Sequence, residues 1–275
     1  MSNLRGPMNL ARSSSTPRPF GEHLRQWRQR RRWSQLELSA LAEISTRHLS
    51  FVETGRSVPS REVVLRLSER LDIPLRERNA MLMAAGYAPM YRERALDDPA
   101  LAAARAAIDL VLAGHEPHPA LAVDRHWNMV AHNRVVPRLL VDLDASLLQP
   151  PVNVLRLSLH PQGLAPRIAN LGQWRNHLFE RLQRQIQATG DAGLAALRDE
   201  LQAYPVPHDG GDLRLAGEHA GVVVPLRLTT RRGVMSFIST TTIFGSPVDV
   251  TLQELAVETL FAADEATAAL LRGMQ

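Results

Sequence analysis

Between Ser34 and Arg56, apolar residues recur at steps of three and four: Leu36, Leu38, Leu41 and Ala42, then Ile44, then Leu49 and Val52. That period puts one apolar stripe on each of two short helices joined by a tight turn. Ser34 and Glu37 form an S-x-x-E capping box, which fixes where the first helix begins. Gly55, free to take positive φ, stops the second. Off the second stripe lie Thr46, Arg47, His48, Ser50 and Phe51. Helix, turn, helix and stop, with a polar outer face, is the layout of a major-groove reader. Phe20 to Arg31 reads as an opening helix with Leu24 and Trp27 on its apolar edge. Downstream, Ser60 caps a helix whose buried stripe is Val63, Val64, Leu67 and Leu71. Pro74 separates it from a fifth helix, Leu75 to Ala85, ended by Gly86.

The pattern changes on both sides of this block. Residues 1–19 are rich in Ser, Pro, Arg and Gly without periodicity and read as a disordered tail. Residues 87–103 read as a linker, from the prolines and mixed charge of YAPMYRERALDDP. Leu101 to Leu112 is an alanine-rich helix, and Ala120 to Ala131 alternates around Asp124-Arg125 as a hairpin of two short strands. Asn133–Leu143, Gly163–Ala188 and Ala192–Tyr204 read as helices. Gly221–Thr229 and Val234–Thr242 read as an antiparallel pair turning at Arg231-Arg232-Gly233. Leu252–Arg272, capped by Thr251, reads as a closing helix. The expected fold is an all-α helix-turn-helix domain of about five helices over 20–86. It is followed by an α+β domain over 104–275, an antiparallel sheet of four or five strands with helices set on it, in the order of a PAS-like sensor.

Charge sharpens the division. Residues 1–94 hold 17 arginines against 9 acidic residues, net +8, while residues 95–275 hold 15 against 19, net −4. A basic front half and a mildly acidic back half suit one module that meets phosphate and one that does not. All 32 basic residues are arginine, and no cysteine is present, which excludes disulfides, thiolate metal sites and a cysteine nucleophile. No apolar run is long enough to span a bilayer, and the first twenty residues lack the apolar core of a secretory signal, so the expected location is cytoplasmic.

Two resemblances follow from particular residues. Gln35, Glu37-Leu38, Ile44, Leu49 and Glu53-x-Gly55-Arg56 followed by Pro59-Ser60 resemble the Cro/repressor-type (XRE family) helix-turn-helix, over roughly Phe20 to Gly86. The resemblance implies an ion pair between Arg28 and Glu53. The chain departs from that pattern at Glu43, where glycine is usual; a side chain held there at positive φ costs about 1 kcal/mol or more. From about residue 104 on, the chain resembles the ligand-binding domain of MmyB-like regulators. The residues that carry this are Ala122-Val123-Asp124-Arg125-His126-Trp127, Asn153 to Leu157, His160-Pro161, Asn170-Leu171, Thr189-Gly190-Asp191, Ser239 to Thr242 and Phe244 to Thr251. The two together imply transcription control and leave the effector mostly open, with fatty acid-like molecules the usual suggestion.

Candidate chemistry divides the same way. For double-stranded DNA the candidate residues are Gln35, Thr46, Arg47, His48, Ser50, Phe51 and Arg56. Arg47 can fork onto guanine or meet a phosphate, Thr46 and Phe51 can meet a thymine methyl, and Gln35 at a helix start suits a phosphate. For a small apolar effector the expected lining is Trp127, Leu155, Ile168, Trp174, Leu178, Phe237 and Phe244. Arg156 is either a carboxylate anchor or the partner of a structural acid. Neither a metal nor a cofactor is expected: prolines 117 and 119 break the alignment of His115, Glu116 and His118. With no G-x-S-x-G, Walker A or G-x-G-x-x-G, the expected function is that of a homodimeric, sequence-specific regulator and not of an enzyme. The other reading makes the back half a dimerisation or protein-interaction module alone.

Overall fold

The structure, a computed structural model, describes residues 19–205, 224–243 and 249–274. The expected tail up to residue 18, the opening of the expected strand Gly221–Thr229, and Phe244 lie outside the described residues. Among the described residues, one compact unit runs to Ile73 and includes Glu77–Met90; the other takes Pro74–Arg76 and everything from Tyr91 on.

The first unit holds α1 (Phe20–Arg30), α2 (Gln35–Leu41), α3 (Thr46–Glu53), α4 (Arg61–Arg70) and, from Glu77 on, α5 (Leu75–Ala84). Both bonds of the Ser34–Glu37 capping box are made, and Ser45 and Ser60 cap α3 and α4 by accepting from His48 N and Val63 N. Gly55 ends α3 at φ 74°, and Glu43 sits in the α2–α3 turn at φ 54°. Leu24, Trp27, Leu38, Ala42, Leu49, Val52, Val64, Leu67 and Leu71 close one core. The α2 stripe is narrower than its spacing suggested: Leu36 and Leu41 are 68% and 46% exposed. Residues two apart on a helix face opposite sides, so once Leu38 points inward Leu36 points out.

The second unit is α+β. Its elements are α6 (Ala102–Gly114), β1 (Ala120–Val123), β2 (Met129–His132), α7 (Val136–Leu139), α8 (Val154–Leu159), α9 (Leu171–Thr189), α10 (Ala192–Gln202), β3 (Leu226–Thr230), β4 (Gly233–Ile243), α11 (Val250–Gln253), β5 (Ala256–Ala262) and α12 (Glu265–Arg272). All strand pairs are antiparallel, in the order β2-β1-β5-β4-β3. One sheet face packs Leu226, Leu228, Met235 and Phe237 against Trp174, Leu178 and Leu182 of α9; the other packs Ala120, Ala122 and Val257 against Ile108 and Leu112 of α6.

Four expectations are corrected. Leu252–Arg272 is not one helix: β5 occupies its middle and pairs with both β1 and β4, and Asp264 caps a separate α12 through Thr267 N at 2.7 Å. Ala, Leu and Glu favour helix, but Val257 and Thr259 suit a strand, and a slot with partners on both sides decides between them. Asn133–Leu143 is helical only over Val136–Leu139. Asn133 instead serves the hairpin, donating to His118 O and accepting from Ala120 N. The long helix starts at Leu171 and not Gly163, because Asn170 is spent on Pro225 O and Arg227 N beside β3. The expected linker is tied down over its middle: Arg94 pairs with the fully buried Asp249 at 2.9 Å, and Val250 N donates to Arg92 O. A buried carboxylate requires such a partner.

Candidate DNA-reading helix and effector cavity

Leu49, Val52 and Glu53 hold α3 in place from its inner side. Glu53 has a fully buried carboxylate. Arg28 Nε and Nη2 donate to its two oxygens at 2.6 and 2.9 Å, Gln35 Nε2 donates at 2.8 Å, and Arg25 stands 3.6 Å away. Burial pushes this carboxyl up, but the hydrogen bonds from Arg28 and Gln35 and the charges of Arg28 and Arg25 outweigh it, and the group lies below its ordinary value. Arg28 Nη1 also donates to Trp33 O at 2.8 Å. The same cluster therefore ties α1, the start of α2 and the end of α3 together.

The outer side of α3 has few structural tasks. Thr46 and Arg47 are exposed, and His48, Ser50 and Phe51 are half-buried. The Arg47 guanidinium lies 5.3 Å from the Phe51 ring centroid and that of Arg56 lies 6.0 Å from it, so the ring lies close to two cations. The Thr46 hydroxyl is 3.0 Å from that of Ser39. Gln35 is less free than its place at a helix start suggested: one amide hydrogen goes to Glu53, leaving one for an outside acceptor.

In the second unit, a cavity of about 120 Å³ lies between the sheet and α7, α8 and α9. The structure places four of the expected residues around it: Trp127, Leu155, Trp174 and Leu178. Val136, Leu139, Leu226, Leu228 and Leu260 are among the other apolar residues of the wall. Ile168 and Phe237 are core residues outside this lining. Arg156 is also outside it: its Nε and Nη2 each donate to Glu200 at 2.7 Å, so it serves the structural acid and not a ligand. Those bonds hold Glu200 below the usual carboxylate range, while burial and the bond to Glu200 push Tyr204 up to about 12.

Sequence reasoning missed the two charged residues of the wall, Arg181 and Glu258. Arg181 was within reach, because Trp174, Leu178 and Arg181 are four and three residues apart and share a face of α9. Glu258 was hidden by the misreading of β5. Many residues that carry the family resemblance build the fold instead of lining the cavity. Asn153 caps α8 and donates to His126 O, Asp124 holds the β1–β2 turn, Gly190 ends α9 at φ 67°, and Asp191 caps α10. Glu116 pairs with Arg134, and the rings of His115 and His118 pack on Phe261.

Residues 19–81 match a helix-turn-helix domain family, and residues 104–274 match the MmyB-like transcription regulator ligand binding domain. No curated protein matches the chain. Among the described residues no helix is long and apolar enough to cross a membrane. With its larger part matched end to end and a helix-turn-helix ahead of it, the chain belongs to the MmyB-like transcription regulators, DNA-binding proteins with a ligand-binding domain.

Proposed function

We propose that the protein is a cytoplasmic, sequence-specific operator-binding regulator of the Cro/repressor type, with residues 20–86 as its DNA-binding domain and residues from 104 on as a PAS-like sensor of a small apolar effector. The observation that carries the DNA half is the division of α3: Leu49, Val52 and Glu53 are locked inward, while Thr46, Arg47, Ser50 and Phe51 stay accessible at the outside. Arg47 then reads a guanine edge, Phe51 meets a thymine methyl, and Arg56 and the second amide hydrogen of Gln35 take phosphates. One such unit reaches few base pairs, so the reading includes a homodimer on a two-fold site. Sequencing DNA retained by the purified protein tests this half. A common two-fold motif is expected; retention without any motif leaves only phosphate binding.

The sensing half rests on the cavity, and the sheet order β2-β1-β5-β4-β3 supports the PAS-like reading. Its size is close to the ~150 Å³ that accepts benzene in an apolar protein cavity. That suits a short apolar molecule, or one end of a longer chain. A ligand that favours one conformation changes the population able to bind DNA, and operator DNA then changes ligand affinity by the same factor. Thermal-shift titration with short apolar probes, with and without operator, tests this half. Should no apolar probe raise the melting temperature, the back half is a dimerisation or protein-interaction module.

A further inference from the structure

The effector cavity is apolar except mainly where α9 meets β4 and β5. There Arg181 Nη1 and Nη2 donate to both oxygens of Glu258, at 3.2 and 2.7 Å. Thr241 Oγ1 donates to Glu258 Oε1 at 2.8 Å and accepts from Arg181 Nη2 at 2.7 Å. The guanidinium carbon lies 4.8 Å from the centroid of the Trp127 ring. Trp127 is itself held at φ 67°, a costly conformation for so large a residue, and its Nε1 donates to Gln185 at 2.8 Å. Carboxylate, hydroxyl and ring therefore fix the guanidinium from three sides. The side chains of Arg181 and Glu258 are only 17% and 10% exposed.

An arginine at the wall of an apolar cavity ordinarily invites a carboxylate, because its fork accepts one bidentately. Here the fork is taken. An effector carboxylate would meet Glu258 across a wall largely out of water, where like charges repel with little screening. An uncharged hydroxyl meets no such repulsion. Among the described residues Glu258 Oε2 receives one hydrogen bond, from Arg181, and a carboxylate oxygen accepts two.

The geometry points to Glu258 as the charge selector of this cavity: it stands on Arg181 where an effector carboxylate would stand, so the site takes an uncharged apolar alcohol and turns carboxylates away. This rests on the cavity being the effector site.

The test titrates the full chain with hexanol and hexanoate, followed by calorimetry and by tryptophan fluorescence, since Trp127 and Trp174 both line the cavity. Hexanol is expected to bind at least about tenfold more tightly than hexanoate. Glu258→Gln keeps the shape and leaves Arg181 in need of an anion, so hexanoate should overtake hexanol and raise that variant's melting temperature. If Gln at this position prevents folding, Glu258→Thr, a residue suited to a strand, takes its place. Wild-type preference for hexanoate, equal binding of the two probes, or an unchanged ratio in the variant overturns the selector role alone. Failure of both probes to bind the wild type overturns the effector cavity as well.

Discussion

At the scale of single residues, the Glu53 cluster and the outer face of α3 differ in what their removal should do. Arg28→Ala leaves a carboxylate buried with only Gln35 and the more distant Arg25, and breaking a buried pair costs roughly 3 kcal/mol or more. The denaturation midpoint of the first unit should fall accordingly; an unmoved midpoint means the pair contributes nothing. The depressed pKa of Glu53 sets the sign of a pH effect. Its stabilising contribution is present above the ordinary carboxylate pKa and is lost as pH falls through the lower folded value. Glu53→Gln should therefore lower stability at neutral pH and flatten the acid limb of the stability–pH curve, read by urea denaturation down to about pH 3. Arg47→Ala touches no core contact. It should flatten preference at one base pair, a loss of about 1–3 kcal/mol of discrimination, while weak binding persists. A uniform loss, with the salt slope reduced by about one, would make Arg47 a phosphate contact. The face of α3 could be singled out because its signal was local, positions off an apolar stripe between a cap and a stop, whereas the Arg28–Glu53 pair, 25 residues apart, came only from the family resemblance. Arg156 stayed open between an anchor and the partner of a structural acid because Glu200 lies 44 residues away, beyond any local pattern.

At the scale of elements, the same contrast holds. All five helices of the first unit could be read from the chain, because caps and three-to-four spacing are properties of short segments. The β1–β2 and β3–β4 hairpins were legible for the same reason. β5 was not: its partners, β1 and β4, come from distant or separately turned parts of the chain, and its composition favours a helix. With it went Glu258 and the polar side of the cavity. The strand's position predicts its sensitivity. Proline at Thr259, in register with Ala120 and Thr240, removes a ladder donor in the middle of the sheet, leaves its acceptor unpaired and should cost about 1–3 kcal/mol. The same substitution at Val234, exposed near the start of β4, should cost less. Equal losses at the two positions, measured by chemical denaturation, would place β5 outside the sheet's cooperative centre.

At the scale of the whole molecule, the charge division of +8 against −4 predicts where affinity for DNA resides. A chain of residues 91–275 retains the Arg94–Asp249 anchor and should fold, with the far-UV signal of an α+β domain and no affinity for operator DNA. Operator binding by that fragment would defeat the two-module reading. The order of the sheet has a further consequence, for synthesis. β1 and β4 have no ladder between them until residues 256–262 exist, because β5 is the strand that joins the β1–β2 hairpin to the β3–β4 hairpin. A ribosome adding about 5–20 residues per second makes β1 on the order of ten seconds before it makes β5. The first unit, built from near-neighbour contacts, can fold in that interval, whereas the sensor must wait with both hairpins unjoined. A nascent chain stalled short of β5 should therefore carry a DNA-reading unit with no sensor to govern it, and its exposed strand edges should make it a substrate for chaperones.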